Sequence, residues 1–156
     1  MSERENKLEN LGYPLDRVPG AGGLYKPVVV TGTTVYVSGA VPVEDGSLRY
    51  KGKVPSEVSL EEAKKSAALC AANNLRVVRQ AIGSLDRIAR VLRVTGYVNS
   101  DPDFTDQHLV INGASALLKE VFGDVGVGAR SAVGMAQLPF GSSTEVEMIL
   151  ELKEDA

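Results

Sequence analysis

The chain has 156 residues, 44% hydrophobic and 24% charged, with a formal net charge of -3. That is the size and composition of one globular domain, long enough to bury a core without staples. One cysteine, Cys70, exists, which excludes an intrachain disulfide, and with the lone His108 far away it makes a poor metal constellation. The 17 basic residues are spread along the chain with no Lys/Arg block, so a nucleic-acid partner is not expected. The charged start, Met1 to Lys7, is no signal peptide, and no run approaches the roughly 20 apolar residues of a membrane span. With a lone thiol, the expected setting is the reducing cytoplasm, and Cys70 reads as a small core residue on a helix.

In chain order, residues 2–11 suit a short polar helix with Leu8 and Leu11 touching the body; Gly12 and Pro14 end it. A Gly-rich loop follows at 19–25, without the Lys-Ser/Thr or G-x-G-x-x-G that a phosphate cradle would need. Val28-Val29-Val30 and Val35-Tyr36-Val37 read as strands, joined by a hairpin-length link at 31–34. Residues 44–58 are a polar excursion with one short strand at 47–50. Ser59 and Glu62 form a capping-box signature for a helix running to Ile82, with Gly83 as its C-cap. Its buried face is read from Ala63, Ala67, Cys70, Asn74 and Val78.

Residues 88–98 read as a strand, and Asp101-Pro102-Asp103 as the start of a second helix over 104–122, stopped by Gly123. Ser131 to Ala136 is a further strand. In the last one Val146, Met148, Leu150 and Leu152 alternate with Glu145, Glu147, Ile149 and Glu151, as in a half-buried antiparallel strand. The pattern predicts an α+β fold, with two helices packed on one face of a mixed sheet. The opposite face then needs cover, so oligomerisation is expected. Residues 1–24 are read as an N-terminal extension with the short helix and Gly-rich loop, and 25–156 as a single domain.

The segment Gly128-Ala129-Arg130-Ser131-Ala132-Val133-Gly134-Met135-Ala136-Gln137-Leu138-Pro139, followed by Glu145-Val146-Glu147, resembles the C-terminal signature of the YjgF/RidA family. Val37-Ser38-Gly39-Ala40-Val41-Pro42 is similar to the family's early Ser-Gly-x-x-Pro segment. Gly23-Leu24-Tyr25 lies where the family often has Gly-Pro-Tyr, and Asn112 matches a recurring family Asn. The resemblance implies a chorismate-mutase-like fold and a homotrimer with ligand sites in the clefts between subunits. It also implies cofactor-free hydrolysis of enamine/imine intermediates, the 2-imino acids, to 2-keto acids and ammonia; some members carry an endoribonuclease label. Two departures mark a divergent subgroup. Ala132 stands where the family often has Cys, and 44–58 is an extended insertion, alongside the motif Asn112-Gly113-Ala114-Ser115.

The chemistry expected of these residues centres on Arg130, whose guanidinium fork matches a substrate carboxylate. A structural ion pair with Glu145 or Glu147 is the competing role. Glu145 is the candidate general acid/base, whereas Glu147 and Glu151 read as a solvated acidic stripe. Tyr25 orients substrate or serves as an interface aromatic; both roles are open. Ser38 and Gly39 offer a hydroxyl and a backbone N–H to the ligand, or simply end a strand. Asn112 is favoured as a structural residue over a ligand contact, Ala132 is harmless if its position works through the backbone and disabling if a thiol is needed, and His108 reads as a helix-surface or interface residue. No cofactor or metal is expected. Three functions stand: an imine/enamine deaminase, a non-catalytic trimer binding small carboxylate metabolites, and, less favoured, an endoribonuclease.

Overall fold

The computed structural model describes residues 1–155. Seven strands form: β1 (Val28–Thr31), β2 (Thr34–Ala40), β3 (Val43–Glu44), β4 (Ser47–Leu48), β5 (Ile88–Asn99), β6 (Ala129–Met135) and β7 (Thr144–Leu152). Three α-helices accompany them: α1 (Glu3–Asn10), α2 (Leu60–Ile82) and α3 (Gln107–Phe122). The main sheet has the order β1-β2-β7-β5-β6; β3 and β4 pair separately as a small hairpin. β7 runs antiparallel to both β2 and β5, and β6 runs parallel to β5. The sheet is mixed, as expected, because α2 and α3 each carry the chain back for a strand of the same direction.

α2 and α3 pack on one face of the main sheet. On α2 the residues Ala63, Ala67, Cys70, Asn74 and Val78 are all fully buried, so the helical period was read correctly. Ser59 caps α2 through its hydroxyl, which accepts from the Glu62 N–H at 3.2 Å. The reciprocal pair occurs instead on α1, where Ser2 and Glu5 satisfy each other's backbone N–H groups. α1 is a third helix beyond the two expected on the sheet. It packs on α3, and its Leu8 belongs to the common core with no exposed surface.

The second helix starts at Gln107 rather than at residue 104. Asp101 is occupied elsewhere: its carboxylate accepts from the Ser56 backbone N–H at 2.8 Å and hydroxyl at 2.9 Å. Asp101 therefore pins the loop before α2 instead of capping α3. Cys70 accepts burial as a core residue, and its thiol is pushed up to about 12 by desolvation. No helix among the described residues is long and apolar enough to cross a membrane.

The sheet's other face is open. Val29, Tyr36 and Ile149 lie side by side across it by register, and Tyr36 remains 50% exposed. Glu145, Glu147 and Glu151 line the same face, opposite Tyr97, Thr95 and Arg90 of β5.

Candidate functional site

Arg130 sits on the edge strand β6, directly beside Val94 of β5. Val94 is buried, and directly paired residues share a face, so Arg130 points to the helix side of the sheet. There it meets α3. Its Nη1 donates to Asn112 Oδ1 at 2.8 Å and to Ser115 Oγ at 3.2 Å, and Nη2 donates to the His108 carbonyl at 3.2 Å. His108, Asn112 and Ser115 succeed one another at helical spacing, which presents all three acceptors on one stripe. Between them, Gly113 lets α2 approach: a methyl there would collide with the Lys64 carbonyl. The motif Asn112-Gly113-Ala114-Ser115 is thus a packing contact and an arginine cradle in one.

Every partner of Arg130 is neutral. Among the described residues it forms no ion pair, so the structural role with Glu145 or Glu147 is not what holds it. A guanidinium has five N–H donors. The two on Nη1 and one on Nη2 are engaged. The Nε–H and one Nη2–H have no partner among the described residues, which leaves two donors for a carboxylate. Ala132 lies on the same face of β6, two residues on, and packs against the core.

Glu145 lies elsewhere. It pairs with Tyr97 of β5 and alternates with the fully buried Val146, so it points to the open face. Arg130 and Glu145 are therefore on opposite faces of one sheet, with β5 between their strands. Burial, and then the neighbouring charge of Glu147, raise the Glu145 carboxyl above the ordinary carboxylate range. It has no hydrogen-bond partner among the described residues. Its neighbours on β7 are engaged: Glu147 accepts from the Tyr97 hydroxyl, and Glu151 pairs with Arg90 at 3.0 Å. The acidic stripe is one free carboxyl beside two committed ones.

β2 shifts register against β7 between Val37 and Ala40, and Ser38 and Gly39 stand at that irregularity. Gly39 leaves room there for the Glu145 carboxylate, which a methyl would push aside. The Ser38 hydroxyl donates to the Lys26 carbonyl at 2.6 Å, and the Ser38 carbonyl accepts from Asn74 Nδ2 at 3.1 Å. The Tyr25 hydroxyl accepts from the Gly22 N–H at 3.0 Å, which folds the Gly-rich loop over the site. Tyr25, Ser38, Gly39 and Glu145 line one cavity of about 530 Å³, together with that loop. Arg130, Asn112 and Ala132 lie outside it.

Ser115, the His108 carbonyl and Asn74 were not expected to take part. The i, i+3 spacing of Asn112 and Ser115 was the available signal for the first. His108 is on the surface, and only its backbone takes part. No group of three or more His, Cys, Asp or Glu that could hold a metal ion occurs among the described residues.

Comparison with known proteins places this arrangement. Residues 5–152 match the model of the family described as "YjgF/chorismate_mutase-like, putative endoribonuclease". Protein TCP17 of Trypanosoma cruzi is 39% identical over 146 residues, covering 93% of this chain and 91% of that protein. The crystal structure of Atu1372, a protein of unknown function from Agrobacterium tumefaciens, superposes with a TM-score of 0.88 at 42% identity, covering 96% of this chain and 92% of that one. RidA from the Antarctic bacterium Psychrobacter sp. PAMC 21119 superposes with a TM-score of 0.63 at 26% identity, covering 88% and 95%. The family match spans nearly the whole chain, and with it the α+β fold and the residues singled out above: the protein belongs to the YjgF/RidA family.

Proposed function

We propose that the protein is a cofactor-free hydrolase of 2-imino acids, working as a homotrimer in which Arg130 of one copy faces Glu145 of another. In the reaction a water adds to C2 of the imine, the carbon–nitrogen bond breaks, and a 2-keto acid and ammonia leave. Arg130 takes the substrate carboxylate through Nε–H and the free Nη2–H. Glu145 takes the proton of the attacking water and returns it to the departing amine, a task suited to a carboxyl whose pKa is raised toward neutrality. The observation that carries this reading is the pair of uncommitted groups: a guanidinium with two donors left over, and a half-buried carboxyl with no donor. They lie on opposite faces of the sheet, so a small substrate touching both needs two copies. The open face with Val29, Tyr36 and Ile149 supports such association.

The experiment is subunit complementation. Arg130→Ala and Glu145→Gln copies are each assayed for decay of imines generated by an amino-acid oxidase, and then mixed by reversible dissociation. Each variant alone is inactive. Random mixing restores about a quarter of the wild-type activity, because one ordered pairing in four rebuilds a cleft with both groups. Mixed trimers without restored activity would remove the shared site.

A second reading, carboxylate binding without turnover, needs Arg130 alone and is favoured by Ala132, which offers no thiol. Saturable binding of 2-keto acids with no imine decay would select it. The endoribonuclease reading is the weakest, because three carboxylates on β7 would repel a phosphate backbone at the open face.

A further inference from the structure

We propose that the cavity beside Glu145 selects 2-imino acids with large apolar side chains over the small imine derived from alanine, and that Phe140 sets this preference. The inference rests on the hydrolase reading above for the identity of the reacting group. It goes beyond that reading in assigning the part of the substrate that does not react.

Three observations carry it. The cavity, about 530 Å³, falls within the range of about 300–1,000 Å³ that holds drug-sized ligands, far larger than the alanine-derived imine fills. Its walls beyond Glu145 are aliphatic: Ala40, Val41, Val43, Val77 and Pro139. Of the other polar side chains that line it, Ser38 has committed its proton to the Lys26 carbonyl, and the Tyr25 hydroxyl accepts from Gly22 and keeps its O–H to donate. Glu145 and the Tyr25 O–H are thus the free polar side-chain groups in a chamber whose other side walls are apolar. Along the aliphatic walls a polar substrate tail would find no partner, and an apolar one loses only water.

Phe140 is the third observation. It follows the Leu138-Pro139 of the family signature, has φ 63° and ψ 10°, and leaves 65% of its surface exposed. A left-handed backbone is costly for an aromatic residue, and an exposed aromatic ring gives nothing back to the fold. The ring stands across from Gly22, where an added methyl would lie 3.7 Å from Cζ, so it closes the chamber against the Gly-rich loop. A large apolar side chain bound there packs on the ring; a methyl group does not reach it.

The test uses the full-length protein and imines generated from alanine, leucine and phenylalanine by an amino-acid oxidase. Wild type hydrolyses the leucine or phenylalanine imine with kcat/KM at least about 10-fold above the alanine imine, the scale of apolar-pocket discrimination. Phe140→Gly suits the left-handed backbone and keeps the melting temperature, yet the ratio collapses through loss on the large imines. Equal or better use of the alanine imine, or an unchanged ratio in Phe140→Gly, overturns the proposal. Calorimetry with pyruvate and phenylpyruvate separates the two levels. If no imine decays but phenylpyruvate binds at least about 10-fold tighter than pyruvate in wild type only, the hydrolase reading fails and the selectivity stands. Equal affinity, or no binding of either acid, overturns the selectivity as well.

Discussion

Two arginines in this molecule are held in opposite ways. Arg76, on α2, is fully buried and paired with a carboxylate: Nε donates to the Pro14 carbonyl at 2.8 Å, Nη1 to Asn73 Oδ1 at 2.9 Å and Glu44 Oε2 at 3.4 Å, and Nη2 to Glu44 Oε2 at 3.3 Å. Arg17 joins the same carboxylate at 3.7 Å and Asp45 at 3.3 Å. The network ties the N-terminal segment and the β3–β4 hairpin to α2. Arg130 is held by three neutral acceptors on α3, keeps two donors free and has no carboxylate. One guanidinium is spent on the fold; the other is positioned by the fold and left with unused charge. Burial alone would have ranked Arg76 first as a functional candidate. The count of committed donors reverses that ranking.

The comparison is broken most directly through stability. Arg76→Ala leaves the Pro14 carbonyl without its partner and Glu44 with only the more distant Arg17, and is expected to cost about 3–5 kcal/mol, the scale of a broken buried ion pair. Denaturant melts measure it, and a loss under about 1 kcal/mol would mean that water replaces the arginine. Arg130→Ala is expected to cost about 1 kcal/mol or less, because its partners are neutral and reach solvent. Affinity for 2-keto acids falls in the same variant by about 30-fold or more, as for a truncated charge pair. A large stability loss with unchanged affinity would make Arg130 a second Arg76.

The smallest effect belongs to Glu145. Its pKa in the fold lies above the unfolded value, so the folded chain holds the proton more tightly. The stabilisation from that proton is complete below the unfolded carboxylate pKa and is lost as pH rises through the folded one. Glu145→Gln, which imitates the protonated form, should therefore melt higher than wild type at neutral pH and equally in acid. Melting curves across this range decide it. A difference that does not vanish in acid would mean that the Glu145 charge is not what strains the site.

Much of the fold follows from local pattern. The alternation of Val146, Met148, Leu150 and Leu152 and the 3.6-residue stripe from Ala63 to Val78 each state which side must leave water. The core obeys both. Among the terminal signals, Ser59, Gly83 and Gly123 cap their helices, but Asp101 does not start α3, because its carboxylate bonds Ser56. The Arg-Ser, Leu-Pro and Glu-x-Glu spacing was enough to identify the family and to single out Arg130 and Glu145. It did not reveal that the two face opposite ways. That depends on which residue of β5 each strand pairs with, and a one-residue change of register would exchange the faces. The cradle of Arg130, the contact of Glu145 with Gly39, and the left-handed Phe140 across from Gly22 likewise join residues distant in the chain. Local pattern sets the class of fold, the apolar faces and the kinds of reactive group. Tertiary structure alone decided which groups stay free, because a donor is spent or spare only once its neighbours from other elements have arrived.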